Sequence, residues 1–257
     1  MLYARKRFGQ NFLHDSHVIE RIMAAVQAKA GEHFVEIGPG KGALTQPLLQ
    51  TLGTLDAVEL DRDLVPLLQA HCAHLGELMI HQADALKFDY CALTDGREKL
   101  RVVGNLPYNI STPLIFHLLD QARCIRDMHF MLQKEVVERM AAGPGSKVYG
   151  RLSVMAQVRC KVDMLFSVGP GSFQPAPKVD SAIVRLTPYA DCRCNVTALS
   201  RIVTNAFAMR RKTLHNNLKK LLSDEQIVAV GIDPGQRAEM LSLDDFIRLS
   251  KQLENAD

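Results

Sequence analysis

The motif Asn105-Leu106-Pro107-Tyr108 follows an apolar run that predicts a strand, and it combines groups suited to holding a planar amine. The N6 amine of adenine is a poor nucleophile because its lone pair is delocalised into the ring. The side-chain oxygen of Asn105 and a backbone carbonyl of Leu106 or Pro107 can accept the two amine hydrogens and favour rehybridisation of the nitrogen. Pro107 stiffens the turn, and the ring of Tyr108 offers a face for base stacking.

This motif predicts direct in-line transfer of a methyl group to such an amine. The amine acidifies once it is methylated, so no strong base is required. We therefore expect neither a covalent enzyme intermediate nor a metal ion. The alternative is a strand end followed by an ordinary turn without a chemical role.

A glycine-rich turn and two acids stand at the ends of three earlier predicted strands. Gly38 and Gly40 allow the backbone to approach a ligand that a side chain would block. Glu59 ends the second strand about 20 residues further on, where an acid can hydrogen-bond ribose hydroxyls. Asp84 follows the third strand and can accept from an adenine amine. Together they predict one adenosine site; the alternatives are a tight turn without a ligand and acids that cap helices.

The same turn also fits a second cofactor class. Gly38-x-Gly40-x-x-Ala43 satisfies the dinucleotide-binding pattern that ends in alanine, so a NAD-linked dehydrogenase is a rival interpretation. That interpretation predicts NADH binding, and it gives no role to the motif from Asn105 to Tyr108.

The elements that must position these residues alternate regularly in the first half of the chain. Apolar runs predict strands at residues 33–37, 54–60, 78–81, 100–105 and 127–133. Amphipathic or capped stretches predict helices at residues 15–30, 43–52, 61–74 and from 112 onward. Alternating strands and helices of this length predict a parallel sheet with helices on both faces. Ligands bind beyond the carboxyl ends of the strands in such a sheet.

The pattern changes after about residue 141. A helix is predicted at 151–160, and strands at 162–168 and 178–186 are joined by a loop rich in glycine and proline, which indicates an antiparallel hairpin. From about residue 190 only helices are predicted, at 196–209, 211–222, 224–230 and 242–254. We therefore expect an α/β domain over residues 1–188 and a small all-α domain over residues 189–257.

Charge is distributed unevenly along a chain whose net charge is only +3. Arg5, Lys6 and Arg7 form one basic patch, and residues 201–220 carry six basic residues without an acid. Patches of this kind suit docking on a phosphate backbone. The alternative is a set of solvated helix faces.

The six cysteines are scattered, and no pair has the spacing of a zinc site. We expect them to be small buried thiols in a reducing cytosol. The chain begins without the apolar stretch of a signal peptide, and no apolar run approaches the length of a membrane span. These features predict a cytoplasmic protein with no membrane partner and no bound metal.

Several motifs resemble those of the ribosomal RNA adenine N6-dimethyltransferases, and most closely the bacterial small-subunit (16S) branch, over nearly the whole chain. They are RKRFGQNFL at 5–13, EIGPG at 36–40, ELD at 59–61, GNLPYNIST at 104–112, MLQKE at 131–135, FQPAPKVDSAIVRL at 173–186, RRKT at 210–213 and GIDP at 231–234. One departure is visible, since Lys41 and Gly42 fill a turn where we expect more apolar residues in relatives.

The resemblance implies a Rossmann-like class I methyltransferase domain that binds S-adenosylmethionine. It implies that Asn11 and Leu13 close over the methionine end of the cofactor and that Gly38 lies against its methionine and ribose portion. It further implies that Glu59 binds the ribose hydroxyls and that Asp84 binds the adenine.

The resemblance also implies a substrate, a pair of adjacent adenosines in a hairpin loop near the 3′ end of small-subunit ribosomal RNA. Each would be converted to N6,N6-dimethyladenosine by a monomeric enzyme, late in assembly of the 30S particle. Asn105 would contact both the cofactor and the target amine. Phe173 would supply a second stacking face or, alternatively, would be a core aromatic. Arg5 to Arg7 and Arg210 to Lys212 would hold phosphates.

Two other interpretations remain beside the dehydrogenase. Large-subunit RNA adenine methyltransferases, which confer antibiotic resistance, share the fold and much of the signature, although RRKT at 210–213 and KVDS at 178–181 favour the small-subunit enzyme. A non-catalytic RNA-binding assembly factor would keep the fold, but it would not need an intact cofactor site. The residues alone do not decide between one methyl group and two.

Overall fold

The computed structural model describes residues 11–96, 98–191 and 194–254, and it divides into two compact units. The first, which we call the sheet unit, comprises the described residues up to Val137 together with Asp163–Pro188. The second, the helical unit, comprises Glu138–Val162 and the described residues from Tyr189 onward.

Within the described residues, nine strands form two sheets. They are β1 (Phe12–Leu13), β2 (Phe34–Ile37), β3 (Thr54–Glu59), β4 (Glu77–Gln82), β5 (Leu100–Asn105), β6 (Ile125–Gln133), β7 (Cys160–Val168), β8 (Phe173–Gln174) and β9 (Ser181–Pro188). The larger sheet has the order β4-β3-β2-β5-β6-β9-β7. The strands from β4 to β6 are parallel, and β9 joins β6 in antiparallel register. The smaller sheet consists of β1 paired with β8.

The central strands are apolar because both faces of a parallel sheet are covered. All four residues of β2 are buried, as are five of the six residues of β3 and of β5. Two polar residues lie at the carboxyl ends of these strands, Glu59 on β3 and Asn105 on β5. They lie where a doubly wound fold places its ligand, beyond the carboxyl ends of the strands.

The helices of the sheet unit are α1 (Ser16–Val26), α2 (Thr45–Leu52), α3 (Val65–Cys72) and α4 (Ser111–Asp120). Helix α1 begins where the Asp15 side chain accepts the backbone N–H groups of His17 and Val18, which caps its first turn. It buries a stripe formed by Val18, Ile22 and Val26 in the same core that contains side chains from α2, α3 and the sheet.

The remaining helices begin at the end of β6 and continue into the helical unit. They are α5 (Lys134–Ala141), α6 (Arg151–Gln157), α7 (Val196–Ala206), α8 (Leu214–Leu218), α9 (Asp224–Ala229) and α10 (Leu243–Glu254). Phe207 stacks on Phe246 with ring centroids 5.6 Å apart, and the Tyr149 hydroxyl donates to the Leu241 carbonyl at 3.0 Å. These aromatic contacts join α7 and α10 to the segment before α6 within this unit.

The structure confirms the predicted fold class and locates its elements more closely. Strands β1 and β8 were not predicted, because two-residue strands carry no periodicity. The helix predicted over 211–222 is limited to Leu214–Leu218, and α5 had no prediction. The compact units also place Glu138–Val162 with the helices that follow Tyr189, whereas the domains predicted from sequence divide the chain once, after residue 188.

The prediction that the cysteines are thiols is wrong for one pair, because Cys91 and Cys124 form a disulfide. The two are 33 positions apart in sequence, so spacing gave no indication of the bond. The Gln121 side-chain oxygen accepts the backbone N–H groups of Tyr90 and Cys91, and this brings the two segments together. Cys72 and Cys160 are buried thiols, as expected, and Cys192 lies outside the described residues. None of the described helices has the length and apolar character needed to cross a bilayer.

Candidate active site

A cavity of about 360 Å³ opens at the carboxyl ends of the parallel strands in the sheet unit. This volume lies in the range of sites that bind small molecules. Eight of the nine predicted site residues line it: Asn11, Gly38, Glu59, Asp84, Asn105, Leu106, Pro107 and Tyr108. The ninth, Leu13, is 6% exposed and its side chain packs in the hydrophobic core. The predicted adenosine acceptors and the predicted amine acceptors therefore share one cavity.

The glycine turn after β2 holds the backbone in a conformation that L side chains rarely adopt. Gly38 and Gly40 have φ of +65° and +58°, and the Gly38 N–H donates to the Val58 carbonyl at 2.9 Å. A Cβ added to Gly40 would lie 3.2 Å from two ring carbons of Phe12. The turn thus allows the aromatic ring of the N-terminal segment to lie directly against the backbone at the cavity.

Glu59 is held in place by backbone donors on both of its carboxylate oxygens. Oε1 accepts the Asp61 N–H at 2.8 Å and Oε2 accepts the Gly40 N–H at 3.3 Å. Burial raises the pKa of Glu59 above its ordinary value, with the side chain 6% exposed. Each carboxylate oxygen can accept a further hydrogen bond. Glu59 is therefore a fixed acceptor suited to hydroxyl groups.

Asp84 closes a tight turn at the wall formed by the segment after β4. Its Oδ1 accepts the Leu86 N–H at 3.0 Å, and its carbonyl accepts the Lys87 N–H at 2.9 Å. This local turn orients the carboxylate without help from distant residues. Ala83, Ala85 and Leu86 line the cavity beside it, so the carboxylate stands in an otherwise apolar wall.

The amide of Asn105 is oriented by the segment before β1. Its Nδ2 donates to the Asn11 carbonyl at 2.9 Å, which leaves Oδ1 as the acceptor atom of this side chain. Gly104, directly before it, is required by close packing, because a Cβ there would lie 2.6 Å from the Ile37 carbonyl oxygen. Strands β2 and β5 therefore approach closely where their carboxyl ends meet the cavity.

The sequence left two carbonyls as candidates for the second acceptor, and the geometry favours Leu106. The Pro107 carbonyl already accepts the Ile110 N–H at 3.2 Å at the beginning of α4. The Leu106 N–H donates to the Met131 carbonyl at 3.2 Å, which fixes that peptide against β6. Leu106 is thus held by the sheet.

Hydrogen bonds hold both the side-chain hydroxyl and the backbone carbonyl of Tyr108. Its hydroxyl shares a hydrogen bond of 2.7 Å with the Ser181 hydroxyl, and its carbonyl accepts from the Ser111 hydroxyl at 3.1 Å. Burial raises the pKa of the Tyr108 phenol, so the phenol stays protonated at neutral pH. The ring lies at the cavity wall and is half-buried.

Strand β1 crosses one side of the cavity and is anchored by core contacts. Leu13 pairs with Phe173 in the β1–β8 ladder, and both side chains are buried in the core. Phe173 is 2% exposed and does not line the cavity, so the core alternative for this residue is supported and a second stacking face is not. Phe12 lines the cavity instead, and the Lys41 ammonium lies 4.6 Å from the centre of its ring.

Sequence reasoning missed three residues of the site. Phe12 and Leu60 line the cavity, and Leu60 is a large apolar side chain that is 52% exposed. Its position directly after the strand-end acid Glu59 is a signal that could have identified it. Glu36 lies behind the glycine turn, where its Oε2 accepts the Thr45 hydroxyl at 2.6 Å. An acid within an apolar strand was the available signal.

Burial keeps the Glu36 carboxyl group neutral near physiological pH. Removal from water raises the pKa of Glu36 to about 8, and the nearby Glu59 carboxylate acts in the same direction. Of these two neighbouring acids, Glu59 lies at the cavity wall, while Glu36 joins β2 to the first turn of α2.

The predicted phosphate contacts divide into two groups. Arg5, Lys6 and Arg7 lie outside the described residues. In the helical unit, Arg210 and Arg211 are exposed, and Arg210 pairs with Glu239 at 3.2 Å and donates to the Lys147 carbonyl. Within the described part of the chain, no group of three or more His, Cys, Asp or Glu side chains is arranged to hold a metal ion.

Comparisons with known proteins point in one direction. The sequence profile of the family described as "Ribosomal RNA adenine dimethylase" matches residues 1–255. The chain is 59% identical over 253 residues to "Ribosomal RNA small subunit methyltransferase A" of Pseudomonas aeruginosa, covering 97% of this chain and 94% of that protein. It is 57% identical to the protein of the same name from a Marinomonas species, covering 96% and 94%.

Solved structures agree with the sequence relatives. A dimethyladenosine transferase from Plasmodium falciparum aligns with a TM-score of 0.81 and 26% identity, covering 95% of this chain and 98% of that one. The 23S rRNA methyltransferase ErmE aligns with a TM-score of 0.75 and 24% identity, covering 95% and 100%. The second of these likenesses concerns the fold alone.

Proposed function

The chain belongs to the ribosomal RNA adenine dimethylase family, and from that premise we propose that it methylates small-subunit (16S) ribosomal RNA. The targets are the N6 amines of two adjacent adenosines in a hairpin loop near the 3′ end, and the product is N6,N6-dimethyladenosine. One observation carries the proposal. The Asn105 amide, oriented by Asn11, lies in the same cavity as the strand-end acids Glu59 and Asp84.

The residues at the cavity fit S-adenosylmethionine as the methyl donor. Glu59 offers fixed carboxylate oxygens for ribose hydroxyls, Asp84 offers a carboxylate for the adenine amine, and Gly38 offers accessible backbone. Asn11 and the backbone at Leu13 lie on the segment proposed to close over the methionine end. When bound, the cofactor supplies an electrophilic methyl group on a sulfonium.

The chain's contribution to the transfer is to hold the amine in line. Asn105 Oδ1 and the Leu106 carbonyl accept the two amine hydrogens, which directs the nitrogen lone pair toward the methyl group. The proton leaves for solvent after the nitrogen acquires positive charge. Holding two reactants in this geometry can lower the barrier by up to about 7–11 kcal/mol.

Base stacking completes the substrate site. The target adenine must be unpaired or flipped to reach the cavity, which costs least in a loop. The Tyr108 ring at the cavity wall gives it a face to stack on, worth about 1–3 kcal/mol per base. The basic patches at Arg5 to Arg7 and Arg210 to Lys212 hold phosphates, which positions the RNA without reading its sequence.

The setting of the reaction is the cytoplasm, where the enzyme acts as a monomer on the assembling 30S particle. The catalytic chemistry belongs to residues 1–188 and RNA docking belongs to residues 189–257. The relatives named for the small subunit, at 57–59% identity, support this substrate over large-subunit RNA.

The test is methyl transfer from labelled S-adenosylmethionine to small ribosomal subunits from a strain lacking this modification, with large-subunit RNA in parallel. We expect label in small-subunit RNA alone, recovered as dimethyladenosine after nuclease digestion. Label in large-subunit RNA would assign the chain to the other substrate. Cofactor binding without any transfer would leave it as an RNA-binding assembly factor.

A further inference from the structure

The phenol of Tyr108 is tied to a residue far away in sequence that has no other assigned role. Ser181 is the first residue of β9, and its hydroxyl shares the 2.7 Å hydrogen bond with the Tyr108 hydroxyl. Ser181 is 0% exposed. From this contact we propose that Ser181 is a positioning residue that sets the plane of the Tyr108 ring for stacking of the target adenine, an inference that rests on the proposed function.

Ser181 is suited to this task because the sheet holds it rigidly. It lies opposite Gln133, the last residue of β6, in the antiparallel β6–β9 ladder. Lys134, the residue directly after β6, donates its N–H to the Asp180 carbonyl at 2.9 Å. Backbone hydrogen bonds thus fix the serine from both sides of its position in β9, and its hydroxyl can serve as a stationary anchor.

Tyr108 needs such an anchor because its own element is a loop. It lies between β5 and α4, and its backbone is held by the Ser111 hydroxyl and by the turn that Pro107 stiffens. Those contacts fix the Cα of Tyr108, but they leave the two side-chain torsions of the ring undetermined. The bond at the far end of the ring fixes both torsions, and with them the direction of the ring face.

If the hydrogen bond between Tyr108 and Ser181 served only stability, mutation would have different effects from those expected of a positioning role. Removal of the Tyr108 hydroxyl leaves the fully buried Ser181 hydroxyl unsatisfied, whereas removal of both hydroxyls is nearly neutral for stability. The double variant Tyr108→Phe/Ser181→Ala therefore separates the two roles. Its stability returns toward that of the native protein, while the ring remains without its anchor.

The experiment compares Tyr108→Phe, Ser181→Ala and the double variant by two measurements. The first is kcat and KM for RNA with S-adenosylmethionine saturating, where one lost hydrogen bond predicts a fall in kcat/KM of about tenfold. We expect the double variant to recover in thermal stability but to stay about as impaired as either single variant. We expect cofactor affinity to remain unchanged in all three.

The second measurement is the fluorescence of 2-aminopurine placed at the target position of the hairpin RNA. Stacking quenches this probe, so the native protein with S-adenosylhomocysteine should quench it and Ser181→Ala should restore most of the emission. This readout needs no methyl transfer. It therefore tests the role of Ser181 even if the native protein methylates neither RNA, an outcome that would overturn only the proposed function.

Ser250→Ala is the matched control, because Ser250 is also 0% exposed and donates its hydroxyl to a carbonyl, that of Ile247 in the helical unit. It should leave both quenching and kcat/KM unchanged. The proposal is overturned if the double variant regains activity together with stability. It is equally overturned if Ser181→Ala quenches as the native protein does, or if the native protein does not quench.

Discussion

The two halves of the cavity are held together in different ways. In the cofactor half, Glu59 accepts the N–H groups of Asp61 and Gly40, which are 2 and 19 positions away, and Asp84 accepts the N–H of Leu86, 2 positions away. In the half that receives the target base, Asn105 is bonded to Asn11 and Tyr108 to Ser181, partners 94 and 73 positions away. Partners nearby in the sequence therefore build the cofactor half, and partners from distant segments build the other.

This difference between the two halves predicts different effects of mutations in each. The acids of the cofactor half are held mainly by nearby backbone and do not support distant segments. A change in this half should therefore affect cofactor affinity and little else. The target half depends on segments brought together only in the folded protein. A change there should affect the chemical step or the RNA complex.

The strongest test of this comparison is Asn105→Ala. It removes both the amine acceptor Oδ1 and the donor to the Asn11 carbonyl, so we expect the rate of methyl transfer at saturating substrates to fall by about 10²–10³-fold. Single-turnover transfer to small subunits measures this rate. Cofactor affinity, measured by calorimetry, should change far less. A loss confined to cofactor affinity would contradict the division between the halves.

The next effect should come from Glu59→Ala. Loss of hydrogen bonds to a charged acceptor is worth about 1.5–3 kcal/mol, which predicts cofactor binding about 10- to 150-fold weaker. RNA binding, measured by filter retention, should be unchanged. Because burial raises the pKa of Glu59, native cofactor affinity should be lost as pH falls through that pKa, earlier than for an ordinary glutamate. If RNA binding collapsed with cofactor binding, the two halves would not be independent.

Glu36→Gln tests whether the acid behind the cofactor half is buried in its neutral form. The folded pKa of about 8 lies above the unfolded value, so the stability that neutral Glu36 contributes is complete below about pH 4.5 and is lost as pH rises through 8. The free energy of unfolding should fall by up to about 1.4 kcal/mol per pH unit in that window. The glutamine variant keeps the acceptor for Thr45 and should lack this slope. Urea unfolding at pH 5, 7 and 9 measures it, and parallel curves for the two proteins would refute the buried neutral acid.

The smallest effect should come from Lys41→Ala. The ammonium over the Phe12 ring contributes about 0.5–1 kcal/mol at an exposed site, so cofactor binding should weaken by about two- to fivefold. Lys41→Arg keeps a cation over the ring and should bind normally in the same calorimetric titration. Equal loss in both variants would indicate that Lys41 acts through charge-independent packing.

The same comparison explains what could be predicted from the sequence. The five parallel strands were placed within a few residues because each is a short apolar run, and Gly38, Glu59 and Asp84 follow directly from where those runs end. Local residues make the cofactor half, and local patterns therefore predict it. Asn11 and Leu13 were predicted as cofactor contacts only from the motif and family resemblance.

What could not be predicted depends on contacts between distant segments. Nothing around Ser181 indicates that its hydroxyl meets Tyr108, and nothing in the spacing of Cys91 and Cys124 indicates their bond. Strand β1 was missed because two residues have no periodicity, and with it the place of Phe12 at the cavity. The sequence left two roles open for Phe173, a core aromatic and a stacking face. Its pairing with Leu13 in the β1–β8 ladder places the side chain in the core.

The short β1–β8 ladder also bears on how the protein can work through repeated turnovers. Each dimethylated base consumes two methyl donors, so spent cofactor must leave and be replaced between successive transfers at one adenosine. The β1–β8 ladder has two residue pairs, whereas all six residues of β5 pair with β6. We therefore expect local opening at β1, including loss of the core contacts of Leu13, to cost less than separation of β5 from β6. Donor exchange by that route would leave the sheet that carries Asn105 and Ser181 intact.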